Sequence, residues 1–417
     1  MSRRLPAVLA IVASSLASGC ATAPTTRAQG FVAPGFEEVR EELDLNFAVR
    51  EEKGAAVAVY VDGEKVVDLW GGERNDAHEP WEENTLVPVY STTKGISALV
   101  LAIAHSRGWL DYEAPVARYW PEFGANGKEA ITVRQLLSHE AGLVLLDEEL
   151  PYETVGDLDA LAGVLARQKP SWEPGTRHGY HLSTLGFYMN ELFRRVDPSH
   201  RSIGRFLQQE IDPTLGIEIY VGAPVTITKD RVAEIQVTSP MGGLTHLNDP
   251  PLPVLARLLS PWSTMTRTFA IPRGYDVNDP TWWRVEIPSG NGISTARSIA
   301  RLYGCFAAGG AELGLRPETL RALEEPARVP PRGAKDLVLG MDSLYGLGFI
   351  KPPPASTWGT SSRAYGMPGA GGSFAFADPD RRIGFAYVMN RMGYFMSDDP
   401  REKSLRDATY RAVARRR

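Results

Sequence analysis

Cysteine is scarce in this chain, which has only Cys20 and Cys305 among its 417 residues. This scarcity excludes the small disulfide-rich scaffolds of secreted proteins. A domain of this length must instead be stabilised by packing of its apolar residues, which make up 43% of the sequence. If the N-terminal segment is processed as its pattern predicts below, Cys305 is the only cysteine left with a free thiol, and no intrachain disulfide can form.

The chain also lacks long apolar runs and an excess of positive charge. No segment reaches the roughly 18 consecutive apolar residues that a membrane-spanning helix needs. Lysine and arginine together number 45 against 50 aspartates and glutamates, which gives a formal net charge of −5. This balance argues against a nucleic-acid partner, because no basic stripe is present apart from four arginines between Arg411 and Arg417.

The first 20 residues have the three regions of a secretory signal. Two arginines precede an apolar run from Leu5 to Ala17, and small residues lead up to Cys20. The segment Ala17-Ser18-Gly19-Cys20 resembles a bacterial lipobox, in which the cysteine is lipidated and becomes the new N-terminus. Its departure from the usual pattern is Ala17, where leucine is common.

This pattern predicts a signal segment over residues 1–20, from which Cys20 is retained as the lipidated N-terminus, and a tether over residues 21–33. The mature protein is then expected in the bacterial cell envelope, where a lipid on Cys20 holds it to the periplasmic side of a membrane or to the outer membrane. Ordinary signal cleavage after Ala28, which would give a soluble periplasmic or secreted protein, is the alternative.

Apolar periodicity beyond the tether predicts a mixed α+β fold. Alternating runs around Asp62-Gly63 predict a β-hairpin, and a second hairpin is predicted around residues 378–380. Apolar residues at helical spacing predict an amphipathic helix over about 35–50 and another that contains Leu405 and Val413. The sequence thus predicts a sheet built from the two ends of the chain and covered by terminal helices.

The middle of the chain has a different character. Residues 111–284 contain helical patterns and proline-bearing loops but few strand signals. We therefore predict a single domain over residues 34–417, in which an α/β part (34–110 and 285–417) is interrupted by a helical part. Within the latter, residues 255–283 are aromatic and predicted to be irregular, either as the wall of an apolar pocket or as core.

Ser91 and Lys94 form a Ser-x-x-Lys motif at the predicted start of a helix. Pro88 lies just upstream, and residues three apart share a helix face, so the amine is expected beside the hydroxyl. A serine hydroxyl needs a base within hydrogen-bond reach, and the helix dipole and partial burial favour an uncharged lysine that can accept a proton. The motif alone equally fits an N-capping serine and a solvated lysine.

Three further segments make the motif more specific. They follow it in the order Ile131–Leu143, Pro174–His181 and Tyr365–Ser373. Together the four segments resemble the serine β-lactamase-like superfamily and, within it, the family VIII carboxylesterases related to class C β-lactamases. The resemblance covers about residue 34 to the C-terminus. It implies the β-lactamase/D,D-peptidase fold, with an antiparallel sheet, terminal helices and a helical subdomain, and a mechanism that needs no metal or cofactor.

The resemblance assigns catalytic roles by position. Ser91 matches the nucleophile and Lys94 the lysine one turn later. Tyr180 matches the tyrosine of the family's Tyr-x-Asn segment, whose phenolate, held near the lysine ammonium, is implied to act as base and later as acid. A phenol normally titrates near pH ~10, so it depends on such a cationic neighbour at neutral pH.

The resemblance also implies how the substrate is held. Met367-Pro368-Gly369 matches the Lys-Thr-Gly or His-Thr-Gly strand against which substrates bind. The backbone N–H of the next residue, Ala370, is implied to form an oxyanion hole with that of Ser91. His181 is expected to line the cleft beside Tyr180.

Two departures from the family pattern bear on the substrate. Leu182 stands where β-lactamases and D,D-peptidases carry asparagine, and Met367 stands where they carry lysine or histidine. The carboxylate of a β-lactam or a D-Ala-D-Ala peptide would lose both partners. We therefore predict a carboxylesterase for small short-chain esters, with a class C-like β-lactamase or D,D-peptidase as the alternative. A silent binder of cell-wall peptides is a rival that the joint presence of Ser91, Lys94 and Tyr180 disfavours.

Two other patterns are less informative. The segment around Ser373 is close to G-x-S-x-G, but this serine opens a predicted strand rather than the strand-to-helix turn of α/β hydrolases. His178 and His181 could form a metal pair, but no third ligand accompanies them, so structural histidines are predicted. His139 is predicted to serve a turn.

Overall fold

A computed structural model describes residues 27–148, 150–237, 249, 251–269, 275–353 and 358–416. The proposed signal segment and Cys20 lie outside these residues, so the lipid anchor and the envelope location stay predictions. No helix in the described part of the chain is long and apolar enough to cross a membrane.

The described strands form two sheets. The strands are β1 (Gln29–Val32), β2 (Gly54–Val61), β3 (Glu64–Gly72), β4 (Val87–Pro88), β5 (Ile219–Tyr220), β6 (Ile293–Ser294), β7 (Tyr345–Gly346), β8 (Phe349–Ile350), β9 (Tyr365–Pro368), β10 (Phe374–Asp378) and β11 (Ile383–Met389). Eight of them make an antiparallel sheet with the order β1-β3-β2-β11-β10-β9-β8-β7. The other three make a small sheet with the order β4-β6-β5.

Helices cover the large sheet and fill the middle of the chain. They are α1 (Glu37–Val49), α2 (Thr92–Ser106), α3 (Val133–Leu137), α4 (Tyr152–Gly156), α5 (Leu158–Arg167), α6 (Thr184–Val196), α7 (Ile203–Phe206), α8 (Asp212–Leu215), α9 (Leu252–Leu258), α10 (Thr264–Phe269), α11 (Pro280–Arg284), α12 (Ala296–Ala307), α13 (Pro317–Glu324) and α14 (Pro400–Arg415). The described residues between 111 and 284 contain α3 to α11 and a single two-residue strand, β5.

Both faces of the large sheet are covered by helices, as the side chains of strand β10 show. Side chains alternate along a strand, and Phe374 and Phe376 pack in one core cluster with residues of α1 and α14. Ala375 lies in the other cluster, with residues of α2 and α12. Small residues on this second face let α12 come close: a Cβ on Gly384 of β11 would lie 2.2 Å from the backbone nitrogen of Gly304.

The predicted α+β class and both hairpins are confirmed, as are the two terminal helices. The predicted tether is too long, because residues 29–32 form β1 and pair with β3 from Trp70 to Val67. An extended segment beside an open sheet edge gains backbone hydrogen bonds, which the composition of the tether did not indicate. The segment 255–283 is not irregular throughout, since its described residues include parts of α9 to α11; Trp282 and Trp283 are buried there, whereas Trp262 is 88% exposed.

Candidate active site

Ser91 lies directly before the first residue of α2, at its N-cap, and Lys94 lies in the first turn of that helix. The distance from Lys94 Nζ to Ser91 Oγ is 3.2 Å, as the three-residue spacing predicted. The preceding residue, Tyr90, has a φ of +46°, an unfavourable conformation for a bulky side chain. The chain therefore turns sharply between β4 and α2, and the serine is at that turn.

The Lys94 amine is completely buried and has two further neighbours, the carbonyl oxygens of Leu182 at 2.6 Å and Ser289 at 2.8 Å. Carbonyl oxygens only accept hydrogen bonds, so two N–H bonds of the amine point to them. An uncharged amine then has one lone pair left, and its third neighbour is the Ser91 hydroxyl. Burial lowers the pKa of Lys94 well below its ordinary value, which favours this uncharged form.

Tyr180 completes the group. Lys94 Nζ lies over its ring, 4.8 Å from the ring centroid, and its phenol oxygen is 3.9 Å from the sulfur of Met367. Burial raises the pKa of Tyr180, and a hydrogen bond with Ser91 only partly opposes that shift. The resemblance implied a phenolate beside an ammonium. The structure instead favours a neutral phenol beside a neutral amine, because burial disfavours the charged form of both groups.

Ser373 ties the turn before α2 to the end of β9. Its hydroxyl donates to the carbonyl of Val89 at 3.0 Å and lies 3.2 Å from the hydroxyl of Thr92. A Cβ on Gly369 would lie 2.3 Å from the same Val89 carbonyl, so this approach requires glycine. Ser373 is fully buried and engaged in these contacts, as expected for a structural serine.

The predicted oxyanion donors lie on the two segments that Ser373 joins. Ala370 begins a single helical turn directly after β9, and Ser91 begins α2. Neither backbone N–H donates to an acceptor among the described residues. The predicted oxyanion hole requires two such free donors that point to the same oxygen, and the pair of Ser91 and Ala370 stays a prediction.

His181 lies elsewhere than predicted. Its ring is fully buried, Nε2 accepts the N–H of Leu143 at 2.9 Å, and Nδ1 therefore carries the proton and donates to the carbonyl of Gly179 at 2.8 Å. Both ring nitrogens are occupied, so the predicted contact with substrate is wrong. His178 also binds backbone, at 2.6 Å from the carbonyl of Ala334. No group of three His, Cys, Asp or Glu side chains in the described part of the chain is placed to hold a metal ion.

A cavity of about 460 Å³ adjoins the end of β9. Pro368 and Gly369, which are predicted to bind substrate, form part of its wall, and about half of the other lining residues are apolar. Among the apolar lining residues, Leu339 belongs to the buried cluster around Tyr180, and Met341, Ile350 and Met396 pack against that cluster. A ligand in this cavity would lie between that cluster and the β9 end.

Met367 does not take part in that wall. It is fully buried and its sulfur faces the phenol of Tyr180, so the contact predicted with substrate is replaced by a contact with this tyrosine. Sequence reasoning also missed the carbonyls of Leu182 and Ser289 as partners of Lys94. No sequence signal could have found them, since every residue carries a carbonyl.

The chain matches the family described as Beta-lactamase over residues 43–410. The protein belongs to the beta-lactamase family. Esterase/beta-lactamase LipL of Mycobacterium tuberculosis is 32% identical to this beta-lactamase-family chain over 373 residues, which cover 88% of this chain and 83% of LipL. The predicted resemblance is thereby confirmed, and the protein is a hydrolase of the serine class.

Solved structures agree with this beta-lactamase-family assignment. The crystal structure of a family VIII carboxylesterase is similar with a TM-score of 0.81 and 34% identity, covering 92% of this chain and 99% of the other. A penicillin-binding protein homolog from Caulobacter crescentus has a TM-score of 0.79 and 36% identity with the same coverage. The fold is therefore that of this carboxylesterase and this penicillin-binding protein homolog.

Proposed function

We propose that this protein is a serine carboxylesterase that hydrolyses small esters through an acyl-enzyme on Ser91. The observation that carries the proposal is the position of the Lys94 amine, which has two carbonyl partners and lies 3.2 Å from Ser91 Oγ. A lysine kept uncharged in this arrangement is a base for the hydroxyl proton, which is what a nucleophilic serine needs. The similarity to the esterase/beta-lactamase LipL and to a family VIII carboxylesterase supports an ester substrate.

In the first half of the reaction, Lys94 takes the proton of Ser91 as Oγ forms a bond to the ester carbonyl carbon. The carbonyl oxygen becomes an oxyanion and accepts hydrogen bonds from the backbone N–H groups of Ser91 and Ala370. The bond to the alcohol oxygen then breaks. Tyr180 gives its phenol proton to the leaving alkoxide and takes a proton from the Lys94 ammonium, so the amine is again neutral.

In the second half, a water molecule attacks the acyl carbon. Lys94, through Tyr180, accepts a proton of that water, and the bond between the acyl carbon and Ser91 Oγ breaks. The proton returns to Ser91 and the carboxylic acid leaves. The phenol thus acts as a neutral relay, which suits a group whose pKa is raised by burial.

The substrate is proposed to be uncharged at the position where β-lactams carry their carboxylate. Leu182 offers only its carbonyl near the site, and its side chain packs into the apolar cluster around Tyr180. Met367 replaces the cation that the resemblance implies on β9. An ester without a carboxylate leaves no charge unpaired beside these residues. Hydrolysis of β-lactams is the second candidate, favoured by the similarity to LipL, which is both an esterase and a beta-lactamase.

The experiment compares hydrolysis of p-nitrophenyl acetate and butyrate with that of the cephalosporin nitrocefin by the purified mature protein. We expect a clear preference for the esters, and Ser91→Ala is expected to abolish turnover with an unchanged melting temperature. A preference for nitrocefin would contradict the choice of substrate. Ester hydrolysis retained by Ser91→Ala would contradict the nucleophile.

A further inference from the structure

Two histidines connect the segments on either side of Tyr180. The carbonyl of His139 accepts the N–H of Gly179 at 3.1 Å, and its Nδ1 accepts the N–H of His181 at 2.9 Å. In return, the His181 ring donates to the carbonyl of Gly179 and accepts from Leu143. The residues directly before and after Tyr180 are thus both bonded to His139.

We propose that His139 is a positioning residue, which fixes the backbone around Tyr180 and so places the phenol and the Leu182 carbonyl against Ser91 and Lys94. The inference rests on the proposed function. His139 also contacts Tyr180 itself, because the two rings pack together with their centroids 4.9 Å apart. Leu182 follows His181 immediately, and its carbonyl is one of the two acceptors of the Lys94 amine.

The role of His139 depends on an uncharged imidazole. Since Nδ1 accepts the His181 N–H, the ring proton is on Nε2. Burial, and then the neighbouring His181 and Lys94, lower the pKa of His139 well below its ordinary value. Nε2 has no hydrogen-bond acceptor among the described residues. The ring therefore contributes one acceptor and its packing.

The backbone of His139 offers matched variants. Its φ is +62°, a left-handed conformation that glycine and asparagine adopt more readily than other residues. His139→Asn keeps a side-chain acceptor, whereas His139→Gly removes the acceptor and the ring, and neither adds backbone strain. His200 is exposed with a φ of +52°, so His200→Gly is the control for the same change in the same conformation.

The test measures kcat and KM for p-nitrophenyl acetate together with the melting temperature. His139→Gly is expected to lower kcat about 100-fold, the effect of misplacing catalytic groups by about 1 Å, while KM changes little. His139→Asn is expected to restore most of kcat, and His200→Gly to behave like the wild type. Should His139→Gly not fold, His139→Leu takes its place with His200→Leu as its control, because leucine is nearly isosteric with asparagine, has no acceptor and is strained at the positive φ of both positions.

Two results would overturn the inference. The first is an unchanged kcat in His139→Gly, or in His139→Leu where that variant replaces it. The second is a decrease in kcat in His139→Asn that is as large as in the variant without an acceptor. Either result leaves the proposed function intact as long as the wild type hydrolyses the ester and a fluorophosphonate probe labels Ser91. A wild type that does neither contradicts the proposed function itself.

Discussion

At the scale of single residues, the chemistry depends on where Lys94 finds its hydrogen-bond partners. The two carbonyls and the hydroxyl around the amine could satisfy an ammonium or a neutral amine, so desolvation decides between the two forms. Desolvation favours the neutral amine, and the neutral amine fits the partners present. The same desolvation keeps Tyr180 protonated, which assigns the base to lysine and the relay to the phenol.

Lys94→Ala and Tyr180→Phe test this unit. Each variant is expected to lower kcat by about 10²–10⁴-fold, the contribution typical of a positioned acid or base. The double variant is expected to be little worse than the single variants, because the three groups act together. Steady-state kinetics with melting temperatures check this, and losses that multiply in the double variant would show two independent roles instead.

The pH dependence follows from the lowered pKa of Lys94. Below that pKa the amine is protonated, directs its third N–H at Ser91 Oγ and has no lone pair for the hydroxyl proton. We therefore expect kcat/KM for a neutral ester to fall as pH decreases through this pKa and to be constant above it. A pH–rate profile measures this. A rise of activity only near the ordinary lysine pKa of about 10.4 would contradict an uncharged resting amine.

At the scale of elements, the site depends on the contact between the start of α2 and the end of β9. Ser373 bonds to Val89 and Thr92, which lie on either side of Ser91, and Ser373 itself follows the turn that begins at Ala370. This contact holds the two predicted oxyanion donors on adjoining segments.

Ser373→Ala removes that tie. The Val89 carbonyl loses the Ser373 donor but still accepts the N–H of Thr92, so the free energy of unfolding is expected to decrease by about 0.5–1.5 kcal/mol. Relaxation of the two turns is expected to lower kcat more than it changes KM. Urea unfolding and ester kinetics check both effects, with Ser404→Ala on α14 as a control that removes a serine hydroxyl donating to the carbonyl of Arg401. If the two variants had the same kcat and KM, Ser373 would have no role in holding the active site in place.

Much of this arrangement is predictable from local sequence. The Asp-Gly turn fixes one hairpin, and the Ser-x-x-Lys spacing places the amine at the hydroxyl, since both depend on neighbours in sequence. The pairing of β1 with β3, the two carbonyls at Lys94 and the burial of His181 depend on segments far apart in the chain. Periodicity and motif spacing contain no information about such contacts, and the resemblance specified side chains rather than backbone groups.

At the scale of the whole molecule, the last helix connects the sheet to the cavity at the end of β9. The buried face of α14 packs on the sheet, while Glu402 and Arg406 of the same helix line the cavity. Glu402 is fully buried, and its carboxyl oxygen is 3.1 Å from Arg406 Nε. Burial raises the pKa of Glu402 to about 8 despite that arginine.

This carboxyl makes stability depend on pH. The folded protein keeps the Glu402 proton up to about pH 8, whereas the unfolded chain loses it near 4.5, so rising pH between these values favours unfolding. Glu402→Gln cannot titrate. We expect the free energy of unfolding of the wild type to decrease relative to the variant by a few kcal/mol across that range. Urea unfolding at both ends of the range measures this. If the free energy of unfolding of the wild type and of Glu402→Gln changed with pH in the same way, Glu402 would not be protonated in the folded protein.

The central claim is that Ser91 carries the acyl group during turnover. The most direct measurement is mass spectrometry of the protein quenched during hydrolysis of a slowly deacylating p-nitrophenyl ester, followed by mapping of the modified peptide. The account predicts one acyl group on Ser91, absent from Ser91→Ala and formed far more slowly in Lys94→Ala. An acyl group on another residue, or ester turnover with Ser91 never modified, would contradict it.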